Sequence, residues 1–170
     1  VCVGLIFPGV SVHLITLLTG TGLRVAAAIA VGAVIGPAQV GARVLEMIGR
    51  ERHPALVTLS VGVACVAGGM GALWAGAPAG LALVIYGAGN GLYSIARGTV
   101  PLALFGEGGY AVAMGRLAMP ILLASAASPL IFAWVIEAFG VQAAMTALAG
   151  IALVPLLTAL ALWRLSRRGT

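Results

Sequence analysis

Charge is the scarcest property of this sequence. Lysine does not occur, four acidic residues stand against nine basic ones, and charged residues make up only 8% of the 170. With 62% hydrophobic residues and a mean hydropathy of +1.17, so little charge lies far outside the range of water-soluble domains. Aromatic residues, at 6%, are too few for the girdles of a transmembrane β-barrel, and the roughly ten-residue segments of alternating polarity that a barrel needs are absent. Cysteine is nearly missing. Cys2 and Cys65 lie far apart with no partner ligands, so they are read as small apolar residues rather than as a disulfide or a metal site. The first residues carry neither a basic n-region nor a small-residue cleavage site, so this segment does not resemble a signal peptide.

What is present in quantity is long apolar sequence. Runs free of Asp, Glu, Lys and Arg extend over Val1 to Leu23, Val25 to Ala42, Pro54 to Ala96, Leu117 to Ile136 and Ala138 to Trp163. A membrane-spanning helix needs about 20 mostly apolar residues, and the Pro54 to Ala96 run is about twice that length. It divides at AGAPAG, Ala75 to Gly80, where Gly76 and Pro78 supply turn chemistry. The expectation is an all-α, polytopic membrane protein with six transmembrane helices at about 1–18, 22–43, 55–75, 79–100, 112–136 and 140–164. GEGGY, around Glu107, is expected to be a solvated loop. The segment 1–18 is barely long enough to span, so the chain is expected to begin inside or just before a helix of a longer protein.

Positively charged loops stay in the cytoplasm, and the arginines are sorted accordingly. Arg43, Arg50 and Arg52 fall between helices two and three, Arg97 and Arg116 flank the connection from four to five, and Arg164, Arg167 and Arg168 end the chain. Only Arg24 stands on the other side, where its stem can snorkel toward headgroups. This arrangement puts the C-terminus in the cytoplasm. A pI near 10.3 that comes from juxtamembrane arginines implies orientation, and anionic lipid contact at most, rather than binding of nucleic acid.

The passage GPAQVGARVLEMIGRER, Gly36 to Arg52, leaves helix two for the cytoplasm. It resembles a degenerate signature loop of the major facilitator superfamily, G-x-L-a-D-r-x-G-r-k, which recurs between the second and third helices of each six-helix half. Gly41 matches the leading glycine, and Gly49 with Arg50 and Arg52 matches the basic end. Glu46 stands where an aspartate is expected but one residue late, and Glu51 interrupts the basic pair. YGAGNGLYSIARGTVPLALFG followed by MGRLAMP also resembles the fourth and fifth helices of the C-terminal half in bacterial members. The resemblance implies the C-terminal six-helix half of a twelve-helix secondary transporter in a bacterial inner membrane. Its partners would be a small-molecule solute, the lipid bilayer and a missing N-terminal six-helix half, with no cofactor.

Helical angles single out candidate residues independently. At 100° per residue and with Tyr86 as zero, Asn90 falls at about 40°, Tyr93 at about 340° and Arg97 at about 20°. One narrow stripe of helix four therefore holds its strongly polar groups, while Gly87, Gly91 and Gly98 occupy an adjacent face between about 100° and 140° where small residues allow close helix approach. Polar groups at membrane depth need water or protein partners. Tyr86, Asn90, Tyr93 and Arg97 are thus candidates for lining a solute cavity, and interhelical bonding in a dry core is the competing role. On helix two Gly36, Gln39, Arg43 and Glu46 share a face, which adds Gln39 to the cavity candidates. Arg43 and Glu46, spaced i, i+3, are candidates for a cytoplasmic gate with Arg50 and Arg52.

His13, in helix one, is a candidate proton-relay or ligand group, or else a histidine bonded to a neighbouring helix. Pro120 and Pro129 are expected to kink helix five, with Ser125 and Ser128 beside them. Ser11 next to His13 evokes an intramembrane serine protease. Residues two apart on a helix point about 200° apart, though, and no G-x-S-G turn or second intramembrane histidine exists, so no enzyme is expected. A self-contained six-helix channel or a dimerising membrane scaffold fits the length as well as a transporter half does.

Overall fold

The computed structural model describes residues 1–49 and 54–168, and the described residues are helical with no strand. The helices are α1 (Cys2–Gly20), α2 (Val25–Gly32), α3 (Ile35–Gly49), α4 (Ala55–Trp74) and α5 (Ala79–Arg168). Two residues inside α5 leave helical geometry, Gly106 (φ 64, ψ 179) and Gly140 (φ 84, ψ 170). They divide it into three segments, here α5a (79–105), α5b (107–139) and α5c (141–168). Among the described residues, Cys2–Gly20, Val25–Gly49, Ala55–Trp74 and the long Ala79–Arg164 stretch are long and apolar enough to cross a membrane. Such helices suit a multi-pass membrane protein. At 1.5 Å per residue α1 and α4 are each about 30 Å long, the thickness of a bilayer's hydrocarbon core.

Among the described residues every positive φ belongs to a glycine at a change of direction: Gly22, Gly76, Gly106 and Gly140. The turn expected at AGAPAG lies there, with α4 ending at Trp74 and α5 opening at Ala79. Two expectations are corrected. Helix two does not stop near residue 43 but runs to Gly49, broken at Ala33 and Val34. The break falls one turn before Pro37, which has no N–H to return to the Ala33 carbonyl, and within it Val34 N bonds three residues back, to Val31 O at 3.2 Å. Glu107 is exposed as expected, but the loop around it is not formed. A single glycine makes the turn at Gly106, so Gly108 and Gly109 fall in the first turn of α5b, where backbone N–H groups have no intrahelical partner in any case.

Close approaches at glycines fix how the helices lie. A Cβ on Gly69 would come within 2.6 Å of Tyr86 N, and one on Gly89 within 2.6 Å of Val66 N and 2.7 Å of Gly62 O, so α4 and α5a run antiparallel with their backbones nearly touching. Gly87 meets Ile35 O and Gly91 meets Gln39 O, which sets α5a parallel to α3. The packing face expected of Gly87 and Gly91 is thereby explained, whereas Gly98 touches only the Tyr110 hydroxyl, at 3.9 Å. On α1, Gly4 meets Ile121 O and Gly9 meets Phe132, so α1 runs parallel to α5b. Gly20 against Val141, together with Val1, Cys2 and Val3 opposite Val154 to Leu162, sets α5c antiparallel to α1. Ile6, Val10, Leu17, Val66, Met70, Leu83, Tyr86, Phe132, Met145 and Leu148 fill the space between the segments.

Backbone geometry stays helical through Pro120 and Pro129. Ser128 is fully buried and donates to the Leu5 carbonyl across the α1/α5b seam at 2.5 Å, so it bonds to a neighbouring helix and not to a carbonyl freed within its own. Large apolar side chains cover the outside, among them Leu45, Met119, Leu130 and Trp134.

Candidate functional site

The polar stripe of α5a lies between two glycine contacts, Gly89 toward α4 on one flank and Gly87 and Gly91 toward α3 on the other. That leaves Tyr86, Asn90, Tyr93 and Arg97 turned toward α1. Phe7 of α1 stands edge-on to both tyrosines, 5.9 Å from the Tyr86 ring and 5.6 Å from that of Tyr93. The stripe is not uniform in exposure. Tyr86 is enclosed, at 3% exposed; Asn90 and Tyr93 are half-buried; Arg97 is exposed. Tyr93 and Arg97 line one cleft of about 240 Å³, whose remaining wall is apolar and includes Leu59, Val100, Met114 and Ile121.

Hydrogen bonds to the side chains of this stripe are few. Among the described residues neither tyrosine hydroxyl nor the Asn90 amide has a protein partner, although other polar side chains in the bundle do. A buried hydroxyl left without a partner costs about 1–3 kcal/mol. Tyr86 is enclosed, so the half-buried Asn90 and Tyr93, on adjacent turns of the helix, are the unbonded groups within reach of water or a solute bearing donors and acceptors. Gln39 adds a fourth polar group: its backbone abuts Gly91, so the half-buried Gln39 sits at the level of Asn90 on the neighbouring helix.

The other candidates lie elsewhere. His13 Nε2 is 2.9 Å from the Pro129 carbonyl, to which it donates across the α1/α5b seam, and His13 does not line the Tyr93 and Arg97 cleft. Arg43 is exposed and forms no ion pair with Glu46 among the described residues. Glu46 instead accepts a hydrogen bond from Thr58 Oγ1 at 2.5 Å and borders a separate cleft of about 230 Å³ with Thr99 and Leu102. Arg50 and Arg52 lie outside the described residues. Cys2 and Cys65 are unbonded, and no cluster of His, Cys, Asp and Glu among the described residues is placed to hold a metal.

Two participants escape sequence reasoning, Phe7 between the tyrosines and Thr58 beneath Glu46. Angles along one helix carry no information about which residue of another helix stands opposite, so neither had a signal to find. No protein-family model, curated protein or solved structure matches the chain.

Proposed function

We propose that the chain is the C-terminal six-helix half of a secondary transporter of the major facilitator type, moving a small solute by alternating access. The observation that carries this reading is a reciprocity in the packing. Take α1, α2 with α3, and α4 as one set of three and α5a, α5b and α5c as another. The first member of each set then runs parallel to the second member of the other: α1 beside α5b, and α5a beside α3. The first member of each also runs antiparallel to the third of the other: α5a beside α4, and α1 beside α5c. An inverted repeat imposes this exchange, and transporters of this type place their solute site at the interface of such repeats.

In this reading there are six spans, with Tyr93 and Arg97 forming half of the solute cavity and Asn90 and Gln39 extending it toward the midplane. Arg97 attracts an anionic group of the solute, and Arg43, Glu46, Arg50 and Arg52 belong to the cytoplasmic gate. The positive-inside rule gives the orientation, because Arg43, Arg97, Arg116 and Arg164 all lie toward one end of the bundle and Arg24 toward the other. That end, with the C-terminus, faces the cytoplasm of a bacterial inner membrane.

Cysteine accessibility tests the cavity. In the full-length protein with Cys2 and Cys65 replaced by serine, single cysteines at Asn90, Tyr93 and Arg97 should react with a membrane-impermeant thiol reagent. Cysteine at Val84, on the far side of the same helix, should stay silent. Inertness at all the stripe positions would overturn the cavity.

A further inference from the structure

The arginine end of the bundle holds a further, larger opening that the solute cavity does not use. Where α5a turns into α5b at Gly106, Phe105 from one helix and Gly109, Val112, Ala113, Arg116 and Leu117 from the other enclose about 410 Å³. All of these but Arg116 are apolar, and Phe105, Val112 and Leu117 are 57%, 59% and 46% exposed. Arg116 is itself exposed and forms no ion pair among the described residues. Glu107, the carboxylate at the start of the same helix, is not part of the lining. Side chains on a helix lean toward its N-terminus, so Arg116 lies over Val112 and Ala113, and its guanidinium reaches from the bilayer toward the headgroup level.

An opening with apolar walls and one unpaired guanidinium at the membrane edge matches an amphiphile with a negative head. A guanidinium binds phosphate oxygens in a bidentate fork. A zwitterionic lipid brings its own ammonium group, which competes for the same phosphate, whereas an anionic lipid does not. We propose that this opening is a binding site for an anionic phospholipid, with the phosphate on Arg116 and the start of the acyl chains along Phe105, Val112 and Leu117. The proposal does not depend on the transporter reading.

The test is native mass spectrometry of the full chain in detergent supplied with equal amounts of dioleoyl phosphatidylglycerol and dioleoyl phosphatidylcholine. One phosphatidylglycerol should be retained in about fivefold preference, the size of effect that one juxtamembrane cation contributes. Arg116→Gln should bring the ratio close to parity, and Arg164→Gln, an arginine at the same end of the bundle, should leave it unchanged. A second variant, Ala113→Trp, fills the opening while keeping the cation and should also abolish the preference. Parity in the unsubstituted chain would overturn the site, as would a preference that survives both Arg116→Gln and Ala113→Trp. A preference lost equally in Arg164→Gln would reduce it to diffuse attraction. Displacement of the lipid by millimolar inorganic phosphate would make the ligand free phosphate and not a lipid.

Discussion

Gly68 and Gly69 stand side by side in α4, yet alanine is expected to act at them in opposite directions. A Cβ on Gly69 would lie 2.6 Å from Tyr86 N, 2.7 Å from Ala82 O and 2.8 Å from Tyr86 Cα, where ordinary contact begins at 3.4 Å. All three are backbone atoms, so no rotamer change relieves the clash, and α4 and α5a must separate by about 0.8 Å. Forcing extra volume into a packed interior costs roughly 1–3 kcal/mol. Here the displacement also drags Tyr86 from the Phe7 ring. A Cβ on Gly68 meets nothing within 4 Å, so Gly68→Ala gains helix propensity of up to about 1 kcal/mol. The two variants should therefore differ by about 1–4 kcal/mol. On the scaling for domains of this size that is on the order of 2–16 °C in melting temperature. The chain holds its own reporter, because Cys65 lies on the same seam, its Cβ within 2.9 Å of where a Gly89 side chain would begin. With Cys2 replaced by serine, a thiol-reactive dye added to the detergent-solubilised protein during heating should light up at a lower temperature for Gly69→Ala than for Gly68→Ala. Equal melting temperatures would refute the backbone contact.

Gly9→Ala should also destabilise, because its Cβ would fall 2.6 Å from the Phe132 ring and 2.9 Å from Ser128 Oγ; here the obstacle is a side chain, so Phe132→Leu in the same chain should restore a substantial part of the loss in the melting assay, and failure of that rescue would refute the assignment. A reporter fused after Thr170 should register the cytoplasm and one inserted between Ala75 and Pro78 the outside; the inverse result would refute the orientation drawn from the arginines.

Much of the helical content is legible in the sequence because lipid leaves the backbone few options. Apolar runs of spanning length have to satisfy their own N–H and C=O groups, and Gly76 with Pro78 announces a turn wherever it falls. The stripe of Tyr86, Asn90, Tyr93 and Arg97 follows from the pitch of one helix alone. Where the sequence misleads, the reason is local. GEGGY has the composition of a loop, yet Gly106 reverses the chain by itself and the following glycines enter the next helix. The break between α2 and α3, one turn before Pro37, does not end the span, since a missing N–H at that point strands only the Ala33 carbonyl. The site's depth is less legible than its existence. Whether Tyr86 is open or enclosed depends on Phe7 of α1, and the bond to Glu46 comes from Thr58 of α4. Both are relations between helices, on which the spacing along one helix is silent.

The single-glycine turns at Gly106 and Gly140 carry a mechanical consequence. A loop of several residues would let neighbouring helices tilt and slide independently, since each residue adds two free torsions. Joined through one glycine, α5a and α5b share a pivot with only φ and ψ to spend, and α5b and α5c share another. Relative reorientation of α5a, where Tyr93 and Arg97 stand, against α5b, and of α5b against α5c, is therefore confined to the φ and ψ of Gly106 and Gly140.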